Sequence, residues 1–440
     1  MTQLGFVFAP GRCTGCSACT VACGFENALP PDRPWRSVHT YNPHQDAGLP
    51  HFHLSLACNH CAEPACLAAC PAQAYRKDAA TGAVLIDETA CIGCRYCSWA
   101  CPYDAPRFDA TRGVMTKCTF CAHRLAAGKA PACATACPTG ALATAPMAPM
   151  DQAEPDLPGL FSGGLGPALQ VVGDRPFRPP LGLLGDEGPA PLPAPAPRRK
   201  VIAREEWALV AFTLGSTLLA GLQAAAALGR GPVLSAGAFL GAGLVLMGLS
   251  TAHLGRPERA WRAMLGWRTS WLSREVLAFG AFLGTGTLAR LPQAGHAAGA
   301  LAGLSACFGL CLAVAMDRLY QRVEHRAPWR LRAGEALPGW FWVAGLASGS
   351  LPLALGAGLL KGGLAARDLP GAVALPRILL GLGLPLLALG GRLPAALGLA
   401  ALVLGEGLER WTFYDGLAIP TPQTLLRQRE REDRPTTAQA

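Results

Sequence analysis

Apolar and polar positions divide this 440-residue chain near residue 205. Beyond that point, long apolar runs recur at about 207–229, 233–253, 275–291, 296–316, 340–360, 373–391 and 393–411, with the charges confined to islands between them. Each run approaches the ~20 residues that a helix needs to cross the hydrocarbon core of a bilayer. Buried helices of a large soluble protein are the bland alternative, but so many uncharged runs in series argue against it. The pattern predicts an all-α, multi-pass bundle of about seven helices over 205–412, with six or eight left open because 373–411 has no clear break.

The first 140 residues follow a different rhythm. Apolar runs there are short, such as AVLID at 83–87, and predict small strands joined by long loops, an α+β unit. Between 141 and 204 prolines accumulate, and the segment closes on PAPLPAPAPRRK. A run of that composition predicts an extended, semi-rigid connector. Residues 413–440 read as a polar tail.

Composition sharpens the division. The mean hydropathy of +0.27 is high for a soluble protein and comes from the second half. The net charge of +9 could suggest nucleic acid, but the basic residues sit beside the apolar runs. Arg198, Arg199, Lys200 and Arg204 precede the first run. Arg256, Arg259, Arg262, Arg268 and Arg274 follow the second, and Arg318, Arg322, Arg326, Arg330 and Arg332 follow the fourth. These three islands fall on one face of the membrane, which the excess of positive charge marks as cytoplasmic. No nucleic-acid partner is expected. The chain opens on MTQLGFVFAPGRCTGC, with neither a charged-then-apolar leader nor a paired-arginine signal. The expectation is a multi-pass protein of the bacterial cytoplasmic (inner) membrane, its first domain on the cytoplasmic face.

Sixteen of the 18 cysteines lie in the first 140 residues, in four groups. They are Cys13, Cys16, Cys19 and Cys23; Cys58, Cys61, Cys66 and Cys70; Cys91, Cys94, Cys97 and Cys101; and Cys118, Cys121, Cys133 and Cys137. In a reducing compartment, thiols so clustered read as metal ligands and not as disulfides. Groups one and three have the bacterial ferredoxin spacing C-x-x-C-x-x-C-x-x-x-C, in which three thiolates wrap one cubane and the fourth ligates a neighbouring cluster. Proline follows the last cysteine of groups two, three and four, where the chain turns. Zinc needs two separated pairs in closed tetrahedral geometry, and four such quartets fit it poorly. An all-cysteine count predicts four 4Fe-4S clusters. Applying the ferredoxin exchange to all four groups predicts the sets Cys13, Cys16, Cys19 and Cys137; Cys118, Cys121, Cys133 and Cys23; Cys58, Cys61, Cys66 and Cys101; and Cys91, Cys94, Cys97 and Cys70. His60, inside CNHC, is expected to donate to a cluster sulfur or to lie on the surface, and His39, His44, His51 and His53 are expected on the surface.

The stretch STAHLGRPERAWRAMLGWRTSWLSREVLAFG at 250–280 is the candidate for membrane chemistry. His253 closes the second apolar run and Glu275 opens the third. A carboxylate at a membrane boundary is costly unless paired or hydrated, which makes it a functional candidate. Quinol oxidation releases two electrons and two protons, so its site needs proton acceptors near an electron path. His253 could bond a quinone oxygen, Glu275 could pass the proton on, and Arg259 could orient the headgroup. Arg262, Arg268 and Arg274 are read as topology signals only. His253, His296 and His325 are too scattered for a haem, and none is expected. Cys307 and Cys311 read as small apolar residues.

The motifs CTGCSACTVAC, CNHCAEPACLAACP, CIGCRYCSWACPYDAPRF and KCTFCAHRLAAGKAPACATACP together resemble the iron–sulfur subunit of dimethyl sulfoxide reductase and its molybdopterin oxidoreductase relatives. Residues 205–440, above all HLGRPERA and SREV, resemble the haem-free anchor of the same enzyme. The resemblance implies a double ferredoxin-like, four-cluster domain fused to a menaquinol-oxidising anchor, with quinol binding carried over onto His253, Arg259 and Glu275. It also implies a separate molybdopterin catalytic subunit as partner, since this chain shows no molybdopterin site. It departs from the family's usual form in joining two ordinarily separate polypeptides and in an anchor that looks shorter than eight helices. Reduction of dimethyl sulfoxide or another S- or N-oxide is the expected purpose. A cytoplasm-facing sulfite dehydrogenase that delivers electrons to quinone is the nearest rival, and an anchor that merely tethers is a third reading.

Overall fold

The computed structural model describes residues 3–44, 49–147, 157–161, 163–173, 200–327, 330–368, 375 and 377–433. They form two compact units, Met1–Lys200 with Ile419–Ala440, and Val201–Ala418.

In the first unit, strand β1 (Gln3–Phe8) is central to a three-stranded sheet. It pairs antiparallel with β8 (Leu142–Met147), Gln3 opposite Met147 and Phe8 opposite Leu142, and parallel with β9 (Leu169–Val171), Phe6 opposite Leu169. Three antiparallel hairpins complete the sheets: β2 (Ser37–Tyr41) with β3 (Phe52–Leu56), β4 (Tyr75–Lys77) with β5 (Val84–Ile86), and β6 (Arg107–Asp109) with β7 (Val114–Thr116). The short helices α1 (Ala18–Glu26), α2 (Ala65–Ala69), α3 (Tyr96–Ala100), α4 (Ala122–Ala126) and α5 (Ala132–Thr135) carry or follow cysteines.

Two expectations change here. A connector starting at 141 does not hold, because β8 and β9 lie inside that segment. Leu142 and Leu169 point into the core beside Phe6 and Phe8, an apolar contribution that the surrounding prolines obscure. Of the closing PAPLPAPAPRRK, only Lys200 lies within the described residues. It donates to the Ser98 and Cys101 carbonyls at 3.0 and 2.5 Å. The polar tail is also partly structured. Its helix Pro422–Asp433 (α14 below) belongs to the first unit, with Leu426 3% exposed in the same core as Leu54. Tyr41 donates to Asp433 at 2.7 Å, and the Asn42 amide donates to Glu430 at 2.5 Å.

The second unit contains eight helices among the described residues: α6 (Trp207–Ala227), α7 (Ala236–Ala252), α8 (Trp271–Leu288), α9 (Ala298–Val323), α10 (Ala336–Ala347), α11 (Leu351–Asp368), α12 (Leu379–Leu389) and α13 (Ala395–Asp415). The last helix of the chain, α14 (Pro422–Asp433), lies outside this unit. The apolar run 340–360, expected to be one span, is a hairpin of α10 and α11. A methyl on Gly345 would meet Ala354, and one on Gly358 would meet Trp342, which fixes the two helices antiparallel. The turn is written in SGSLP: Gly349 takes φ +65° past the end of α10, and Pro352 suits the first turn of α11. Similarly, α12 and α13 run antiparallel, with Gly381 against Gly405 and Ala388 against Gly398. The start of α12 is a π-turn, Leu379–Gly383, which accommodates the missing N–H of Pro385. By length and composition Trp207–Ala227 and Pro292–Val323 can each cross a membrane, and Ala236–Ala252 with Pro257–Met264 forms a third, sharply bent candidate.

The substitution Leu426→Ala tests the C-terminal helix. Loss of a side chain from that core should destabilise the cluster-bearing unit by about 2–5 kcal/mol, seen as earlier loss of visible absorbance on heating, although the residue is remote from every cysteine in sequence.

Candidate metal centres and membrane site

The cysteine loops share one local device. The residue before the second cysteine of each group is left-handed: Gly15 at φ +71°, His60 at +45°, Gly93 at +70° and Phe120 at +58°. That conformation turns successive backbone N–H groups toward a common centre. At Gly15 no side chain fits, since a methyl there would lie 2.6 Å from the His53 ring. His60 and Phe120 adopt it despite their side chains, at a cost of about 1–2 kcal/mol each, and their rings pack edge to face at 5.0 Å.

These loops bring the cysteines together in sets drawn from two groups each. Cys13, Cys16, Cys19 and Cys137 line one cavity. Cys58, Cys61, Cys66 and Cys101 line another, and Cys70, Cys91, Cys94 and Cys97 a third. Cys23 has Cys133 and Cys121 as electrostatic neighbours, and Cys118 has Cys133 and Cys23. The four thiols converging in each set are the donor set of a cubane cluster. Amide hydrogens point at the sulfurs from Gly93 and Met115 to Cys91, from Phe120 to Cys118, each at 3.4 Å, and from Ala74 to Cys70 at 3.3 Å.

The four sets form a row. Cys19 neighbours Cys23, Cys118 neighbours Cys58, and buried Tyr75 lies beside Cys66, Cys97 and Cys70. Buried cations occupy the first two junctions. Arg36, 1% exposed, faces Cys133, Cys118, Cys19 and Cys23 and donates to the Ser55 carbonyl and hydroxyl at 3.2 and 3.0 Å. Lys117, also 1% exposed, faces Cys58, Cys66 and Cys118 and donates to the Cys58 sulfur at 3.5 Å and the Cys118 carbonyl at 2.9 Å. Burial opposes the charge on both, yet the sulfurs beside them hold each pKa above its ordinary value. Sequence reasoning missed both residues; the only available signal was the placement of Lys117 directly before Cys118.

His60 is not on the surface. Burial, then Lys117 and Arg36, lower its pKa well below the usual value, so the ring is neutral and Nδ1 accepts the Val84 amide at 3.0 Å. His39, His44, His51 and His53 are half-buried and not fully exposed, with His53 Nδ1 bonded to Thr40 at 3.0 Å.

In the helical unit His253 caps the end of α7, half-buried, and Arg259 lies half-buried in the turn Pro257–Met264, which packs on α8. Glu275, on the second turn of α8, is 6% exposed. Its electrostatic neighbours are Asp317, Tyr320 and Tyr414. Asp317 accepts the Ala336 and Leu337 amides at 2.6 and 2.9 Å, capping α10. Members of the third arginine island form ion pairs: Arg326 pairs with Glu335 and Glu324, and Arg332 with Glu324 at 3.0 Å. Cys307 and Cys311 are exposed on α9.

Replacing Lys117 with Met should lower the reduction potential of the neighbouring cluster, because its positive charge favours the more negative, reduced form. A loss on the order of 50–150 mV is expected from a charge pair worth several kcal/mol at ~59 mV per tenfold, read by redox titration followed with electron paramagnetic resonance (EPR).

A 4Fe-4S dicluster domain model matches residues 50–146, and a DMSO reductase anchor subunit (DmsC) model matches residues 206–330. One polypeptide of the anaerobic dimethyl sulfoxide reductase of Haemophilus influenzae is 44% identical over 156 residues, 33% of this chain and 76% of the relative. Its counterpart in the anaerobic dimethyl sulfoxide reductase of Escherichia coli is 42% identical over 164 residues, 36% of this chain and 80% of the relative. A component of the sulfite dehydrogenase of Allochromatium vinosum is 38% identical over 162 residues, covering 32% and 68%. A ferredoxin-like iron–sulfur unit and an anchor domain of apolar helices thus share one polypeptide, which belongs to the dimethyl sulfoxide reductase family as an iron–sulfur electron-transfer subunit joined to its membrane anchor.

Proposed function

We propose that this chain relays electrons between membrane quinol and a separate molybdopterin catalytic subunit through four 4Fe-4S clusters. The observation that carries the reading is the row of four cysteine sets, each drawn from two sequence groups. Cys13, Cys16, Cys19 and Cys137 hold the first cluster; Cys118, Cys121, Cys133 and Cys23 the second; Cys58, Cys61, Cys66 and Cys101 the third; and Cys91, Cys94, Cys97 and Cys70 the fourth. When bound, the clusters supply one-electron redox chemistry. The protein contributes thiolates, amide N–H groups and the Arg36 and Lys117 cations, which tune potential and exclude water. The first set, with Cys16 exposed and Cys13 and Cys137 half-buried, is the more open end of the row.

At the anchor, quinol donates its protons to His253 and Glu275 while Arg259 orients the headgroup. The buried setting of Glu275 among Asp317, Tyr320 and Tyr414 supports this role, since an intramembrane carboxylate with polar neighbours is a functional group by default. Both ends of the helical segment join the cluster unit, at Lys200 and at Ile419, which favours an even number of crossings. The electron acceptor is dimethyl sulfoxide or a similar S- or N-oxide, by analogy with the dimethyl sulfoxide reductase relatives. The sulfite dehydrogenase relative keeps a second reading open, with the same parts carrying electrons from sulfite to quinone. Sulfite-dependent quinone reduction by the purified complex, without S-oxide-dependent quinol oxidation, would select it.

Two further outcomes are expected. Cys137→Ala should lower iron from about sixteen to about twelve atoms per chain and remove the same EPR signal as Cys16→Ala; loss of the signal that Cys118→Ala removes would overturn the pairing. Glu275→Gln should slow quinol oxidation at least about 100-fold, within the usual range for a lost proton-transfer group, with cluster content unchanged. Undiminished turnover in an intact complex would instead support a purely tethering anchor.

A further inference from the structure

The helical unit buries more charge than a quinone site at Glu275 requires. Lys361 of α11 places its ammonium 2.5 Å from Glu406 and 2.6 Å from Glu409 of α13, and all three side chains are at most 4% exposed. Charge so placed in a membrane bundle is expensive and marks function more often than architecture. Two carboxylates share one ammonium, which leaves one negative charge that a shared proton can cancel. Lys361 lies seven residues before the end of α11 at Asp368, about 10 Å along the helix at ~1.5 Å per residue.

The trio is not isolated. Glu406, Arg410 and Tyr414 recur every four residues along α13, and all are at most 3% exposed; at that spacing each lies about one turn from the next. Arg410 donates to the Thr217 hydroxyl of α6 at 3.2 Å. Glu406 and Thr217 flank Gly339 of α10, where a methyl would meet them at 3.0 and 3.1 Å. The Tyr414 hydroxyl bonds to that of Tyr320 on α9, and both tyrosines neighbour Glu275. A polar row therefore runs from α8 through α9 and along α13 to the trio.

We propose that Lys361, Glu406 and Glu409 hold a proton for the quinone reaction, exchanged with Glu275 along the Tyr320, Tyr414 and Arg410 row. The inference rests on the quinone site placed at Glu275. Oxidation of one quinol to quinone releases two electrons, which pass singly to the clusters, and two protons. One proton leaves a quinol hydroxyl for the Glu275 carboxylate, and the other goes to His253. The tyrosine hydroxyls and then the Thr217 hydroxyl beside Arg410 and Glu406 pass the first on, each releasing a proton as it accepts another, and the trio takes it up, changing from one net negative charge to none. Arg410 stays cationic and orients the row. Quinone reduction runs the same transfers in reverse.

The test uses the full chain in lipid nanodiscs, with a short-chain menaquinol analogue reducing the clusters, a soluble one-electron acceptor dye reoxidising them, and visible absorbance as the readout. The triple variant Lys361→Met, Glu406→Gln, Glu409→Gln removes the charges together at similar volume, which preserves folding better than breaking the trio. The relay predicts at least a tenfold lower kcat, an unchanged KM and a larger solvent deuterium isotope effect, with dithionite reducing the clusters as in the unsubstituted chain. Normal kcat and isotope effect in the triple variant, beside an impaired Glu275→Gln variant, would overturn the relay and leave the quinone site standing. If Glu275→Gln turns over normally, the quinone site itself falls; a slow triple variant in that case also overturns the proposed route, since the trio would then serve another site.

Discussion

Charge held in a low-dielectric interior must be answered by opposite charge or by aligned N–H groups, and much of this chain follows from that requirement. A cysteine-ligated cluster is an anion, and its burial is tolerable only with donors and cations aimed at it. The left-handed residues Gly15, His60, Gly93 and Phe120 turn backbone amides inward, while Arg36 and Lys117 fill the first two junctions of the row with positive charge. A cation between two such cysteine sets would favour the reduced form of a cluster held in either. His60 follows from the same fields: beside two buried cations it stays neutral and serves the Val84 amide as an acceptor.

The helical unit meets the same constraint in a harsher solvent. Several of its buried carboxylates are placed against a donor: Asp317 at the start of α10, Glu335 against Arg326, Glu406 and Glu409 against Lys361. The glycines opposite them serve packing. Gly339 admits Glu406, and Gly381 against Gly405 lets α12 and α13 approach closely.

How far the sequence foretold this depends on whether the signal was local. Cysteine spacing is local chemistry, so the four groups could be read from the sequence, whereas the exchange between them came from applying the ferredoxin rule to all four. Strand β5 within 83–87 was similarly visible, because a short apolar run bounded by turns has few alternatives. Lys117, Arg36 and Lys361 were not visible, since a lone basic residue gains meaning only from partners distant in sequence. The run 340–360 misled for a different reason: hydropathy averages over the Ser348–Pro352 turn, although glycine and proline there mark a helix end and a new start. The strands at 142–147 and 169–171 were hidden in proline-rich context, where composition suggests a connector and only pairing with β1 shows otherwise.

Connectivity bears on the one feature that hydropathy left open. The chain leaves the cluster unit after Lys200 and rejoins it at Ile419, where Leu426 becomes part of that unit's core. By length and composition Trp207–Ala227 and Pro292–Val323 can each cross a membrane, and the number of crossings beyond them turns on the shorter helices. The deciding element is α10, whose twelve residues span only about 18 Å at ~1.5 Å each, well short of the ~30 Å hydrocarbon core. Because α10 returns at once through α11, treating the pair as a full hairpin or as a shallow re-entrant one changes the count by two and leaves its parity intact. Within the helical unit, Glu275 of α8, Asp317 and Tyr320 of α9 and Tyr414 of α13 come together as neighbours, so the polar groups of three helices meet at one place in an otherwise apolar bundle.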